Sequence, residues 1–444
     1  MKKIAIVFLF LSLNKYAFSQ TVNLEQARAL ALANSSSLAK YESAIRSSIL
    51  DEKNQLYSML PSISADYKIS MGYLRDWEFI NPIDAFSSGM SFSVTQIIFQ
   101  GGKGFINKAI SGIATESVRI DARAEYFNTL DSADNAYYAV LEAAAAVEAE
   151  EVSLQTAVLA LSIAEVRQSS GMINRGDYLK ALADKETREN SRNQARRNLA
   201  LCAAKFKTIT GLQTTRLAPI DFTAYENALA YLSVIEDERA DDLYEYFWNI
   251  MASDNPSLAK AVLNNKKAEM NYTLSKRDYA PTISATVFST EFGYSTANGF
   301  SSSSNGGISI NGKIPVDFWV LGNRLEKSRI ARDTEAINYT TTQNSLEQEL
   351  LTALSNVFTQ AGSVISLRRS LEYTESHFNY VMERYRLSQS SVSDLNDATS
   401  LFITARNSLS RASYGFLQGI SKIRSLCAMD DEQRLLNILS GDLF

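Results

Sequence analysis

The chain has 444 residues, 45% of them hydrophobic, with 49 acidic against 44 basic side chains and a formal net charge of −5. That acidic balance excludes the basic footprint of a nucleic-acid binder. One histidine and two cysteines give no metal-ligand spacing, and a content of only six prolines and 19 glycines favours long, uninterrupted helices.

Residues 1–20 read as a cleaved signal peptide. Lys2 and Lys3 precede the apolar run Ile4–Leu13, and Ala17-Phe18-Ser19 leads to Gln20. A run of about ten apolar residues is too short to span a bilayer as a helix. Loss of Lys2, Lys3 and Lys15 leaves 41 basic residues against 49 acidic, a net charge of −8. No cysteine follows the cut, so a lipid anchor is not expected there. No later apolar run approaches the length of a membrane helix.

Residues 23–59 are helical by composition, and Pro61 ends that stretch. Strict alternation follows. Ile63, Ala65, Tyr67, Ile69, Met71 and Tyr73 alternate with Ser62, Ser64, Asp66, Lys68 and Ser70. Met90, Phe92 and Val94 do the same against Ser91, Ser93 and Thr95. Period two predicts strands with one apolar and one wet face, which an ordinary surface sheet and a membrane barrel share. The two strands form a hairpin over about 62–99, with Tyr73–Phe86 as its loop. Gly101-Gly102-Lys103-Gly104 lacks the Ser or Thr that would complete a phosphate loop, and reads as a strand-to-helix corner. A helix follows over about 104–167, on the order of 95 Å at 1.5 Å per residue. Val140, Ala144, Val147, Leu154, Val158 and Leu161 on it, and Ala195, Leu199, Cys202, Phe206 and Ile209 on a return helix over 177–210, read as coiled-coil seams. Cys202 and Cys427 sit in these apolar patterns and read as buried thiols rather than a disulfide.

The second half repeats the first. Ser37-Leu38-Ala39-Lys40 recurs at Ser257, and Pro61-Ser62-Ile63-Ser64-Ala65 recurs as Pro281-Thr282-Ile283-Ser284-Ala285, both at an offset of 220. Gly171–Asp177 matches Ser388–Asp394 at an offset of 217. Such an ordered series is a duplication signal. The expected organisation is a first repeat over 21–211, a joining segment over 212–240, a second repeat over 241–428 and a tail over 429–444. The second repeat holds a hairpin at about 282–318, a long helix at about 323–386 and a return helix at 394–428. Ile308, Ile310, Ile314, Val316 and Phe318 carry its clearest apolar alternation, whereas Phe288 breaks the phase of the strand from Ile283. Ser295–Asn305 is its loop.

Two hairpins supply four strands. Open edges are not tolerated in lipid, and a membrane barrel needs about eight strands. The chain must therefore share a barrel with copies of itself, eight strands from two or twelve from three. The expected lipid face is Ile63, Tyr67, Ile69, Met71, Phe92, Val94, Ile308, Ile310 and Ile314.

Several local segments resemble the TolC family of outer-membrane efflux ducts. They are Asn23-Leu24-Glu25-Gln26-Ala27, Leu60-Pro61-Ser62-Ile63, Gln96-Ile97-Ile98-Phe99-Gln100-Gly101-Gly102, and Arg384-Tyr385 through Asp394-Leu395-Asn396-Asp397-Ala398-Thr399. The resemblance covers nearly all of the chain after residue 20. It implies a mainly α fold with a membrane β-barrel: a homotrimer with a twelve-stranded barrel and a helical coiled-coil tunnel in the periplasm. Segments 212–240 and 429–444 would form an equatorial collar. The implied function is an exit duct of a tripartite efflux or type I secretion system. Its partners would be outer-membrane lipid, a periplasmic adaptor and an inner-membrane pump of the RND or ABC type, with no cofactor and no enzymatic activity. The adaptor would dock on Ser170, Gly171, Met172, Leu387, Ser388 and Gln389, with Ser388 where the family has a second glycine. Asp394 and Asp397 would line the periplasmic aperture, Asp394 also suiting a helix N-cap. Tyr385 would help hold the aperture shut, although Ser390 stands where the family has its partner arginine. A soluble periplasmic coiled-coil adaptor is the alternative reading; it explains the helices but not four alternating strands. His377 on a polar helix face reads as a surface residue.

Overall fold

A computed structural model describes residues 21–70, 74–75, 78–79, 87–212, 216–295, 299–301 and 305–441. Those residues fall into two compact units. One comprises residues 39–123 and 256–345, and the other residues up to 38, 124–255 and 346 onward.

The first unit carries the sheet. Strands β1 (Ser62–Ser70), β4 (Ser87–Phe99), β5 (Thr282–Ser295) and β7 (Asn305–Lys313) lie side by side, each antiparallel to the next. A short β6 (Gly299–Ser301) extends the end of β5, while β2 (Leu74–Arg75) and β3 (Glu78–Phe79) form a separate two-stranded ribbon. The register places Ile63 opposite Val94, Val94 opposite Val287, and Val287 opposite Ile308. Directly opposed residues share a face, so one branched apolar row crosses all four strands. The other face is hydroxyl-rich: Ser64 Oγ lies 2.8 Å from Ser93 Oγ, and Thr95 Oγ1 lies 3.1 Å from Thr286 Oγ1. The phase break at Phe288 has a local cause. Phe288 faces Gly307 across the ladder, and a Cβ on that glycine would come within 3.0 Å of the ring. A large side chain is accommodated on the polar face because its neighbour has none.

Helices α2 (Ser36–Tyr57) and α7 (Pro256–Lys276) lead towards β1 and β5, while α3 (Lys103–Ser169) and α8 (Phe318–Arg386) leave the sheet. Gly101 and Gly102 adopt φ of +67° and +78° at the β4–α3 corner, a conformation open to glycine at little cost. Asp278, just before β5, bridges Lys103 Nζ at 2.8 Å and Arg324 Nη1 at 3.1 Å. Burial alone would raise its carboxyl, but the hydrogen bonds from Lys103 and Arg324 outweigh it and hold it below its ordinary value.

The second unit holds α1 (Leu24–Asn34), the remainder of α3 and α8, α4 (Arg175–Thr210), α5 (Glu226–Ser233), α6 (Asp237–Asp254), α9 (Val392–Leu426) and α10 (Glu432–Leu439). Its core closes around a buried charge network. Asp134, fully buried on α3, is bound in parallel by Arg28 at 2.6 and 2.9 Å, by Arg424 at 2.7 Å and by Ser421 Oγ at 2.8 Å. Glu432 of α10 receives Arg28 at 2.5 Å, and Tyr225 Oη lies 3.3 Å from it. Two guanidinium groups and two carboxylates thus balance, joining α1, α3, α9 and α10.

Several sequence expectations need correction. The helical stretch at 23–59 breaks at Ser35, where ψ of 105° leaves the helical region between α1 and α2. The ends at Thr210 and Arg386 fall where expected, and the other ends of the four long helices shift by at most five residues, with α8 beginning at Phe318. The expected α3 seam is the buried one only in part: Val140 is buried, but Val158 is half exposed, and further along the helix Ala149, Ser153, Thr156, Ala157, Ala160 and Ala164 are the buried residues. Small residues let helix backbones approach closely, so the ridge of smallest side chains, not the larger ones, becomes the packed line. Cys427 is buried and free, but Cys202 is only half-buried. Burial pushes the Cys427 thiol up to about 12. Met71, Tyr73, residues 1–20 and much of both hairpin loops lie outside the described residues.

Candidate functional site

Two helix turns, α3 to α4 and α8 to α9, carry the expected docking and aperture residues. They share one geometry. Gly171 N donates to Gln168 O at 3.0 Å and Met172 N to Arg167 O at 2.8 Å. Ser388 N donates to Tyr385 O at 3.1 Å and Gln389 N to Arg384 O at 2.8 Å. Both are Schellman caps, in which a left-handed residue lets two amides satisfy the last helical carbonyls. Gly171 has φ +70° and Ser388 φ +64°. Serine thus adopts the glycine conformation at the second turn, at a cost on the order of 1 kcal/mol. Each return helix is then capped alike: Asn174 Oδ1 accepts from Asp177 N at 2.9 Å, and Ser391 Oγ from Asp394 N at 3.1 Å. Ser170, Gly171, Met172, Leu387, Ser388 and Gln389 are all exposed.

Ser391, not Asp394, is the N-cap of α9. Asp394 is the third helical residue, and its carboxylate accepts from Ser391 N at 2.9 Å, completing a capping box. Those backbone and side-chain hydrogen bonds from Ser391 hold the Asp394 carboxyl below its ordinary value. Asp394 and Asp397 are both exposed, on the side of α9 away from buried Val392, Leu395, Ala398, Thr399 and Phe402. Ser390 is half-buried, its hydroxyl donating to Val381 O at 3.4 Å.

Tyr385 is fully buried. Its hydroxyl donates to Ala160 O at 3.0 Å, and burial pushes the phenol above its ordinary value. Arg167 places its guanidinium over the Tyr385 ring, 4.6 Å from the centroid, and donates from Nη2 to Tyr385 O. Sequence reading missed Arg167. A signal existed: it continues the buried Ala149, Ser153, Thr156, Ala160, Ala164 ridge at steps of four and three. Phe378 and Phe402 stack 5.2 Å apart between α8 and α9. Lys180 donates to Ser393 Oγ at 3.2 Å, and Arg188 to Ser400 Oγ at 2.7 Å, joining α4 to α9. Among the described residues no group of three or more His, Cys, Asp or Glu side chains could hold a metal ion.

Residues 249–427 match the family model for the outer membrane efflux protein. Outer membrane protein TolC from Salmonella enteritidis is 22% identical over 456 aligned residues, covering 99% of this chain and 89% of the relative. TolC from Escherichia coli K12 is 22% identical, with 98% and 88% covered. The fold is similar to the CmeC outer membrane channel of Campylobacter jejuni, with a TM-score of 0.74 and 16% identity over 98% of this chain and 94% of that one. It is also similar to the outer membrane protein VceC of Vibrio cholerae, with a TM-score of 0.71 and 12% identity over 91% and 95%. Residues 249–427 thus match the outer membrane efflux protein family, and the chain is similar to TolC over nearly its whole length.

Proposed function

We propose that three copies of this outer-membrane protein close a twelve-stranded barrel and form an exit duct. The duct would be fed from the periplasm by an adaptor and an inner-membrane pump of the RND or ABC type, and would pass small molecules or proteins outward. One observation carries this reading: the sheet is apolar where a water-soluble sheet would be covered. Ile63 is 80% exposed, Ile308 76% and Ile310 72%, and Tyr67, Ile69, Phe92, Val94 and Ile314 are exposed with them. An exposed branched row of that extent needs lipid or a partner. Among the described residues β1 pairs only with β4 and β7 only with β5, so the sheet ends in two free edges. In lipid, free edges must pair, and joining β7 of one copy to β1 of the next removes both. A soluble adaptor has no use for either feature.

The apolar row would face lipid and the hydroxyl row the lumen. The two exposed turns would receive the adaptor, with Met172 and Leu387 as apolar contacts. Asp394 and Asp397, repeated by three-fold symmetry, would line the periplasmic entrance with carboxylates and favour cations. Segments 212–240 and 429–444 would form the collar. The test is single-cysteine labelling of the protein in outer-membrane vesicles. A lipid-soluble maleimide should mark positions 63, 69 and 308 on a heat-modifiable trimer, and should leave 64, 93 and 309 unmarked. Marking of the hydroxyl row, or a monomer in the soluble periplasmic fraction, would overturn the reading.

A further inference from the structure

The polar face of the sheet carries one side chain out of keeping with its neighbours. Directly opposed residues share a face, so the strand register sorts that face into rows. Ser62, Thr95, Thr286 and Ser309 form one row, four hydroxyls side by side. The next row is Ser64, Ser93, Phe288 and Gly307. Asp66 opposite Ser91 begins the row after it. Among the described side chains of these three rows Phe288 alone is apolar; Ile97 shares the face only at the irregular end of β4. The Phe288 ring reaches across the ladder: a Cβ on Gly307 would lie 3.0 Å from its Cζ and 3.3 Å from its Cε1. The glycine lets the ring lie along the sheet, yet 41% of the residue stays exposed. Packing against the sheet thus leaves much of the side chain open to whatever fills the space on that face.

We propose that Phe288 is a specificity-determining contact of the exit barrel, an aromatic foothold for cargo that carries an aromatic or other apolar face. The proposal rests on the channel reading above and names a class of cargo within it. Three-fold symmetry would set one such ring per copy at a single level of the lumen. Twelve strands about 4.8 Å apart and tilted by about 40° enclose roughly 24 Å between opposite backbones. Three rings lying along that wall leave the lumen open, so they act as contacts and not as a plug. The surrounding hydroxyls favour a layer of water. Ser64 Oγ and Ser93 Oγ lie 2.8 Å apart, and Thr95 Oγ1 and Thr286 Oγ1 lie 3.1 Å apart, each also able to bond water. The ring offers water no such bond, so an apolar face of the cargo displaces water there at a gain. An aromatic face gains more, because rings attract each other in offset or edge-to-face arrangements beyond the area they bury. A fully polar solute gains nothing at Phe288 and passes it.

The experiment is single-channel recording of the full trimer in planar bilayers, with heat-modifiable trimer in outer-membrane vesicles as the assembly control. Two monovalent cations, tetraphenylphosphonium and tetraethylammonium, are added in turn on the extracellular side. They share a charge and differ in their aromatic surface. In wild type the aryl cation should reduce the current at a concentration roughly three- to tenfold below that of the alkyl cation. Phe288→Ser, which completes the hydroxyl row, should bring the two concentrations together while the conductance in potassium chloride stays at the wild-type value. Phe288→Leu should give an intermediate ratio, and Phe288→Trp should keep or widen it. A ratio as large in Phe288→Ser as in wild type would overturn the proposal, as would equal potency of the two cations in wild type. Loss of the preference in Ile97→Ser but not in Phe288→Ser would overturn it too. If Phe288→Ser does not assemble, Phe288→Leu decides: an undiminished ratio overturns the proposal. A wild-type protein that forms no conducting trimer would instead overturn the channel reading.

Discussion

The charge network at Asp134 and the contact at Arg167 both bury an arginine against another helix, yet they are built for opposite ends. At Asp134 two guanidinium groups meet two carboxylates, with Ser421 and Tyr225 completing the shell, and four helices are joined. At Arg167 one guanidinium meets a ring and a carbonyl, and two helix ends are joined. Breaking the first strands charges in the core, which is costly. Breaking the second exposes one cation beside exposed turns, where water can take over its hydrogen bonds. The comparison sets a charge-balanced junction of four helices beside a contact of two helix ends with no carboxylate in it, within the same unit and with the same side chain.

That contrast can be broken by mutation. Asp134→Ala removes the acceptor shared by Arg28 and Arg424 and leaves both cations buried. It should cost about 3–5 kcal/mol, read as a lowered urea midpoint of the helical signal in detergent. A shift no larger than that of Arg167→Ala would erase the distinction between the two sites. The turns themselves should respond less. Gly171→Ala places a Cβ in the left-handed region and should cost about 1 kcal/mol. Ser388→Gly relieves the same strain at the second turn and should stabilise by roughly 0.5 kcal/mol once the added freedom of the unfolded chain is deducted. Equal and same-signed effects would show that the two caps are not alike.

The smallest expected effect is a pH dependence. Asp394 has its folded carboxyl held below its ordinary value by Ser391. Its contribution is therefore present above the ordinary aspartate range, near pH 4, and is lost as pH falls through the folded value. Wild type should exceed Asp394→Asn in thermal midpoint at about pH 6, and the gap should shrink towards about pH 3. A gap that widens on acidification would contradict the capping role.

The sequence made some of these features legible and hid others. Strand alternation is a local pattern and the offset of 217 is a repeat of one segment by another; together they marked the apolar and polar strand positions and the two turns. The left-handed Ser388 was not legible, because serine carries no signal for positive φ; only its place in the repeat did. The capping partner of Asp394 was misjudged by three residues, since Ser391 and Asp394 are both good N-terminal residues and only geometry separates cap from box. Arg28 and Glu432 are 404 positions apart, as are Arg167 and Tyr385 by 218, so no local window contains either contact. Beyond the buried Val140, the α3 seam was misread because side-chain size was weighed above closeness of approach, and the small-residue ridge ending at Arg167 went unseen.

The proposed channel and its proposed carboxylate entrance are tested most directly by ion selectivity in planar bilayers. The wild-type trimer should be cation-selective and blocked from the periplasmic side by a trivalent cation. Asp394→Ala combined with Asp397→Ala should abolish the block and weaken the selectivity while the trimer remains intact. A double variant blocked as strongly as wild type would contradict the assignment and leave Asp394 with its capping box alone.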